Sequence, residues 1–354
     1  MKGRRPRPLD DGDCGRARVS LIISTTKLIK WENLRMPFIS NCTASAIKDA
    51  VTALINGDLI AFPTETVYGL GADATNKSAV NKIYKAKGRP SDHPLIIHIS
   101  NLKNLDLWAR DIPEYAIKLA RAFWPGPMTL ILPRTDLAKD FITGGQDKVG
   151  IRIPSQILAL ALLTEFENQG GAGVGAPSAN RFGAVSPTTA AAVESELGQY
   201  LSNNDLILDG GSCDVGVESS IIDCTTHLPI ILRPGAITAQ MIQEITSLQV
   251  QSDNTSNTKT SGLLQSHYSP KAKVVLDQSP KPGEGFIALG NIKTPQGVIR
   301  LAAPTNNEEY AKNLYQAFHD ADKQLIQVIC VHQPDGDDIA VAIRDRLKKA
   351  AYKG

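Results

Sequence analysis

The chain is poor in the features that mark several large functional classes. Its five cysteines (Cys14, Cys42, Cys213, Cys224, Cys330) form no C-x-x-C pair. That excludes the usual zinc ribbon and disulfide framework and suits a reducing compartment, so a cytoplasmic protein is expected. The histidines lack H-E-x-x-H spacing, and no protein-bound metal is expected. No G-x-x-x-x-G-K-[ST] occurs, so a P-loop is excluded. No apolar run reaches the roughly 20 residues needed to cross a bilayer. The nearest, "VSLIISTTKLIKW", is broken by Lys27, and no membrane partner is expected. Aromatic residues are only 5% and the formal net charge is +2, so no broad basic field argues for bulk nucleic-acid binding.

The rest of the composition is that of a globular protein, with 42% hydrophobic and 21% charged residues in a chain of 354, long enough for two domains. The arginine-rich opening carries three aspartates, which fits a transit peptide poorly. Residues 1–40 read as a disordered N-terminal extension, and Met36 is an alternative start.

From Ala44 the pattern settles. "TASAIKDAVTALINGD" has helical spacing and stops at Gly57, "LIAFP" is a strand, and "NKSAVNKIYKAKGR" is a helix with Ala79, Ile83 and Tyr84 inward. "PLIIHIS", "MTLILP", "KVGIRIP", "LILDG", "SSIIDC" and "PIILRPG" are strands, interleaved with helices "PEYAIKLARAF", "ILALALLTEF" and "PTTAAAVESEL". Mixed strands and helices predict an α/β fold, a twisted open mixed sheet spanning residues 41–248. Residues 249–270 begin with "QVQSDNTSNTKTSG", a linker composition. Residues 271–354 alternate strands and helices as a small Rossmann-like α/β domain.

Polar punctuation marks sit at the strand ends, where α/β sheets place ligands. "KAKGRPSDHPLIIH" packs two lysines, an arginine and two histidines into fourteen positions around an apolar run. Cations at a helix end are favourable against its dipole, but Lys87 and Arg89 together also suit a polyphosphate. "GAPSAN" offers Ser178 and Asn180 on small-residue backbone, and in the "SPTT" that follows, Ser186 and Thr188 are natural helix N-caps. "GGSCDVGVESS" turns through Glu218, Ser219 and Ser220, "ILRPGA" ends a strand at Arg233, and "PTET" turns at Thr66. "YGLGADA" matches G-x-G-x-x-A loosely, but its glycines do not directly follow the preceding strand, which argues against a dinucleotide site.

This ordered set ("FPTETVYGLGADA", "KAKGRPSDHPLIIHI", "WPGPMTLIL", "VGIRIP", "APSAN", "SPTTAAAV", "DGGSCDVGVESSIID", "ILRPGAI", "HYSPKAKV") resembles the YrdC-like domain of threonylcarbamoyl-AMP synthases in their long form. The resemblance implies a concave basic cavity and a reaction. L-threonine, bicarbonate or CO2, and ATP condense to threonylcarbamoyl-adenylate with release of pyrophosphate. The product would pass to the machinery that transfers the group to a tRNA adenosine beside the anticodon. Mg²⁺ is expected with the triphosphate. The resemblance places Lys87, Arg89, Ser178 and Asn180 in the K-x-R and S-x-N signatures as the catalytic set. It assigns Arg89, His93, Lys148, Asn180, Ser186, Thr188, Arg233 and Tyr268 to ATP, and Thr66, His98, Arg152, Ser178 and Ser219 to threonine, with Arg152 on the carboxylate and Tyr268 as a lid. Three departures concern loops: the linker end "SGLLQSHYSP" lacks extra basic residues, Arg181 and Phe182 replace a small pair, and "NQGGAGVG" is inserted before "APSAN". The alternative from another class is a double-stranded RNA-binding or ribosome-maturation protein that uses a basic concave surface, which would predict a broad basic field and stacking aromatics; under the main reading weak RNA binding is expected at most. A third, the carbamoyl-transfer enzymes of hydrogenase maturation, shares the domain type but carries zinc-finger cysteines that this chain lacks.

Overall fold

A computed structural model describes residues 38–41, 43–252, 258–262 and 268–352. Its larger sheet contains strands β1 (Phe38–Asn41), β2 (Ile60–Phe62), β3 (Gly69–Asp73), β4 (Ile96–His98), β5 (Met128–Pro133), β6 (Lys148–Arg152), β7 (Val174–Gly175), β8 (Leu206–Asp209), β9 (Ser220–Asp223), β10 (Ile230–Arg233) and β11 (Gln251–Ser252). They lie in the order β1-β8-β2-β3-β7-β4-β6-β5-β9-β10-β11, with parallel and antiparallel neighbours mixed. Helices α1 (Ala44–Ile55), α2 (Lys77–Lys87), α3 (Leu105–Trp108), α4 (Glu114–Phe123), α5 (Asp140–Thr143), α6 (Ile157–Asn168), α7 (Ala190–Leu197) and α8 (Ala239–Thr246) accompany it. The mixed α/β sheet expected from the sequence is therefore present.

Local chemistry accounts for the element ends. Thr43 caps α1 by accepting from the Ala46 amide, and α1 buries Ala50, Val51 and Leu54. Asn76 caps α2, whose Ala79, Ile83 and Tyr84 are buried as the periodicity predicts. Gly88 ends α2 in the left-handed region (φ 61°), and the Arg89 amide closes back on the Tyr84 carbonyl at 3.0 Å. The positive φ is what favours glycine there, since the Cβ of another residue would meet only the movable end of the Arg181 side chain.

Three expectations are corrected, and one strand is added. The strand Phe38–Asn41 pairs in parallel with β8, so the folded body begins before residue 41. Gln251–Ser252 pairs with β10, so the sheet runs into the segment read as linker. "GLGAD", to which the sequence pattern assigns no element, is strand β3, pressed so closely on β2 and β7 that a Cβ on Gly71 would meet Val174 Cγ1 at 2.6 Å. The cap of α7 is Thr189, which accepts from the Ala192 amide; Ser186 and Thr188 lie before it, and neither hydroxyl caps the helix.

The smaller sheet holds β12 (Lys273–Leu276), β13 (Gly285–Ile287), β14 (Ile299–Ala302) and β15 (Val328–Val331), all parallel, in the order β12-β15-β13-β14. Helices α9 (Asn307–Lys323) and α10 (Ala340–Ala351) complete it. Their apolar faces (Leu314, Tyr315, Phe318, Ile343, Leu347) share one core cluster with Val67, Val185 and Val217 of the larger layer. Burying these groups is what docks the C-terminal layer on the loops of the main sheet.

Candidate active site

Strand register brings the polar residues of the sequence motifs to one place. His98 and Arg152 are direct partners in the parallel pairing of β4 and β6, so they stand side by side at the same ends of their strands. A register shift between Ile231 and Arg233 marks a bulge in β10, a device that re-aims a side chain. Gly88 lets Lys87, the last residue of α2, and Arg89, the first after the turn, line the same cavity. An isolated bridge between Gly69 and Ser178 ties the "PSAN" loop to β3.

The resulting cavity encloses about 610 Å³, counted to its open mouth. Thr66, Lys87, Arg89, His98, Arg152, Ser178, Asn180, Ser219, Arg233 and Tyr268 all line it. These are ten of the residues singled out in the sequence, drawn from stretches spread over two hundred positions. His93, Lys148, Ser186 and Thr188 are not among its lining residues. His93 sits edge-on to the Phe182 ring at 5.3 Å, one contact removed from the cavity. Lys148 is paired with Asp223 at 2.9 Å and Thr258 at 2.8 Å, beside a neighbouring cavity of about 310 Å³. Ser186 donates to Glu218, and Thr188 is buried with its carbonyl taken by the Cys213 amide.

Four cations line the cavity against a single carboxylate, that of Glu218. Lys87 is 2% exposed and donates to the carbonyls of Ser178 at 2.6 Å and Asn180 at 2.5 Å. Burial, helped by the charges of Arg89 and Arg181, pushes its pKa well below that of a free lysine. Arg89 donates through Nη2 to the Pro94 carbonyl and to Ser261 Oγ, with its guanidinium 5.7 Å from the Phe182 ring centre. Its buried Nε has no hydrogen-bond partner among the described residues, and burial lowers its pKa to about 10. Arg233 donates to the Ser219 carbonyl and to Ser219 Oγ, and through Nη1 to the Ser261 carbonyl. Arg152 Nη2 is paired with Glu65 Oε1 at 2.7 Å. Stripped of water and incompletely compensated, such a cluster favours an anionic occupant.

The polar neutral groups are arranged by the loops that carry them. Ser178 Oγ donates to Asn180 Oδ1, while Asn180 Nδ2 donates to the carbonyls of Arg181 and Ala184. The Asn180 amide is therefore spent on its own loop and fixes the loop's shape. Ser219 and Thr129 share a hydroxyl contact at 2.8 Å, and Thr66 and Thr64 share another at 2.8 Å. Burial and the neighbouring Arg152 charge push His98 down to about 3, so its ring is neutral near pH 7. Tyr268 stacks on Tyr315 at 5.8 Å; its partner in the "HYSP" motif, His267, lies outside the described residues.

Sequence reasoning missed Glu65, Ser261 and Arg346, and gave Phe182 and Glu218 no role at the site. Ser261 lies in a stretch whose composition reads only as linker, yet it touches both Arg89 and Arg233. Glu65, in "PTET", was the findable one: a buried arginine at a strand end requires a counter-charge, and this carboxylate lies within a singled-out motif.

Comparison with known proteins points the same way. A family model described as telomere recombination (Sua5/YciO/YrdC) matches residues 52–235, and one described as the threonylcarbamoyl-AMP synthase C-terminal domain matches residues 237–352. A threonylcarbamoyl-AMP synthase of Pyrococcus abyssi is 36% identical, with 86% of this chain and 94% of that protein covered. One of Bacillus subtilis is 37% identical, with coverage of 86% and 92%. The crystal structure of P. abyssi Sua5 complexed with L-threonine superposes with a TM-score of 0.78 at 35% identity, covering 89% of this chain and 97% of that one. Two family models in the expected order, relatives matched over nearly their whole length and a shared fold place this chain in the threonylcarbamoyl-AMP synthase family.

Proposed function

We propose that the cavity is where this chain makes L-threonylcarbamoyladenylate from L-threonine, bicarbonate or CO2, and ATP, with release of pyrophosphate. The observation that carries the reading is the imbalance of the wall: among the described residues Lys87, Arg89, Arg152 and Arg233 line it against the one carboxylate of Glu218, and only Arg152 has a further carboxylate, Glu65, behind it. The reactants are a triphosphate, an amino-acid carboxylate and a carbamate, and bringing them together requires positive charge fixed in advance.

The chemistry divides between the two ends of the cavity. Threonine, which the P. abyssi relative holds in its crystal structure, would lie against His98, Arg152, Thr66, Ser178 and Ser219 in this chain. Arg152 gives Nη2 to Glu65 and Nε to the Gly126 carbonyl, which leaves Nη1 for the substrate carboxylate. Neutral His98 can accept or donate a hydrogen bond without adding charge beside the amine. Arg89 and Arg233, with Lys87 behind them, face the phosphates. Lys87 acts through the Ser178 and Asn180 carbonyls and Asn180 through its loop, so both shape the phosphate site. Tyr268 would close over the nucleotide. His93 would act through Phe182; Lys148, Ser186 and Thr188 would act through the residues they hold.

The neutral threonine amine adds to CO2 and releases a proton to solvent, leaving a carbamate whose oxygen attacks the α-phosphorus as the bond to pyrophosphate breaks. Positioning and charge stabilisation account for such a step, and no protein nucleophile is needed. Mg²⁺ would neutralise phosphate charge. The Glu218 and Glu65 carboxylates are both engaged by arginines, and the described residues contain no cluster of three or more His, Cys, Asp or Glu able to hold a metal. The ion would arrive on ATP, held mostly by phosphate oxygens and water. Delivery of the product to the tRNA threonylcarbamoyl-transfer machinery in the cytoplasm belongs to the same reading. Buried free thiols at Cys213, Cys224 and Cys330 support that location, and no described helix is long and apolar enough to cross a membrane.

Pyrophosphate release, measured with threonine and bicarbonate each present or omitted, tests the proposal. Release requiring both is expected, and Arg89→Ala should abolish it, with Asn180→Ala lowering it strongly. Release without threonine would overturn the substrate; no release together with tight RNA binding would favour the RNA-binding reading.

A further inference from the structure

The wall of the cavity at Glu218 and Ser219 is held from outside the main sheet. Glu218 is 5% exposed and makes three hydrogen bonds. Its Oε1 accepts from Ser186 Oγ at 2.6 Å, and its Oε2 accepts from Tyr315 Oη at 2.9 Å and Arg346 Nε at 2.9 Å. Tyr315 belongs to α9 and Arg346 to α10, both of the C-terminal layer. Arg346 is fully buried, pairs also with Asp345 at 2.6 Å, and lies 5.2 Å from the centre of the Tyr268 ring. From the same layer His319 Nε2 reaches within 3.3 Å of the Ser186 carbonyl. Two helices that take no part in lining the cavity thus hold the residues just behind its wall.

Their position matters because of charge. Among the described residues Glu218 is the one carboxylate that lines the cavity, and Arg233 lines it too. A carboxylate beside a phosphate-binding arginine is a competitor for the substrate, since Arg pairs equally well with either anion. Burial alone would raise the Glu218 pKa, but the charges of Arg346 and Arg233 and the hydrogen bonds from Ser186 and Arg346 outweigh it and bring it to about 2. The competitor is therefore anionic at every working pH, and only geometry keeps it from Arg233.

We infer that Arg346, assisted by Tyr315, is a positioning residue that holds the Glu218 carboxylate away from Arg233, so that the C-terminal layer sets the affinity of the cavity for ATP without touching the nucleotide. The inference rests on the reading of the cavity as the ATP site. It gives the C-terminal layer a specific part in the reaction: it occupies the carboxylate that, among the described residues lining the cavity, could fill the site in place of phosphate.

The test uses the full-length chain, with ATP affinity read by calorimetry and the KM for ATP, KM for threonine and kcat read from pyrophosphate release. Arg346→Met keeps volume and removes the charge. It should weaken ATP binding at least about tenfold, the order of one charge-assisted hydrogen bond, with kcat changed much less. Adding Glu218→Gln to that variant should recover most of the loss, because a neutral amide no longer competes for Arg233. A merely structural Arg346 would leave the double variant as impaired as the single one, or more so. Should Arg346→Met fail to fold in a thermal melt, Tyr315→Phe carries the same test. It removes one hydroxyl donor to Glu218, so a smaller rise in KM for ATP, again reversed by Glu218→Gln, is expected. ATP affinity unchanged in the foldable variant, or no recovery in the double variant, overturns the inference. If the wild-type chain binds ATP but releases no pyrophosphate with threonine, the proposed reaction fails, while the positioning is still decided by the calorimetric affinities.

Discussion

Lowering the pH from about 7.5 to about 5 should destabilise this protein through one buried imidazole, and the size of the effect follows from its surroundings. His98 is 4% exposed, its Nδ1 faces the Ile96 carbonyl at 3.2 Å, and its strand neighbour is Arg152. Burial first, and the Arg152 charge second, lower its pKa from 6.5 to about 3, against the weaker opposing pull of backbone hydrogen bonds. Between those values the unfolded chain binds the proton and the folded chain does not, so stability rises with pH across the window and falls on acidification. At about pH 5 the deficit is about 1.5 pH units, or about 2 kcal/mol at 1.36 kcal/mol per unit. Other groups titrate as well, so the comparison must be differential. Guanidinium unfolding at both pH values, for the wild type and for His98→Gln, isolates the term: the wild type should lose about 2 kcal/mol more than the variant. Equal losses in the two proteins would refute the account of His98 as a buried neutral ring.

Two further outcomes follow from the packing. Glu65→Gln removes the carboxylate from a buried pair whose side chains are 8% and 5% exposed. Leaving Arg152 uncompensated should cost about 3–5 kcal/mol and lower the Tm by several degrees, and an unchanged melting curve would contradict the pairing. Gly71→Ala would bring a Cβ to 2.6 Å from Val174 Cγ1 and 2.8 Å from Phe62 Cε1. It should destabilise by about 1–3 kcal/mol while leaving the KM for ATP unchanged; a rise in KM without a loss of stability would instead restore a ligand role to "YGLGADA".

The legibility of the site varied with the kind of signal each residue leaves. Lys87, Arg89, Ser178, Asn180, Ser219 and Arg233 were legible because charged or small polar residues at the ends of apolar runs stand out locally. His93 and Lys148 carried the same local signal and do not line the cavity, since their reach is taken by Phe182 and by Asp223 with Thr258. The short strands β3 and β7 escaped periodicity: three of the five residues of "GLGAD" are glycine or alanine, and "VG" is two residues long. Both are strands because the neighbours β2 and β4 supply their hydrogen bonds.

Hydrophobic periodicity and caps, which are properties of adjacent residues, determined in the sequence alone the α/β class and most helices and strands, while the family was legible only through the resemblance of its ordered motifs. The tertiary structure decided what depends on pairing between distant segments. Register set His98 beside Arg152, and a left-handed Gly88 brought two successive cations to one cavity. Docking of α9 and α10 delivered Arg346 and Tyr315 to Glu218 across more than ninety residues of chain. Such contacts leave no local pattern, because the free energy that selects them is the burial and mutual satisfaction of groups that meet only once the sheet has formed.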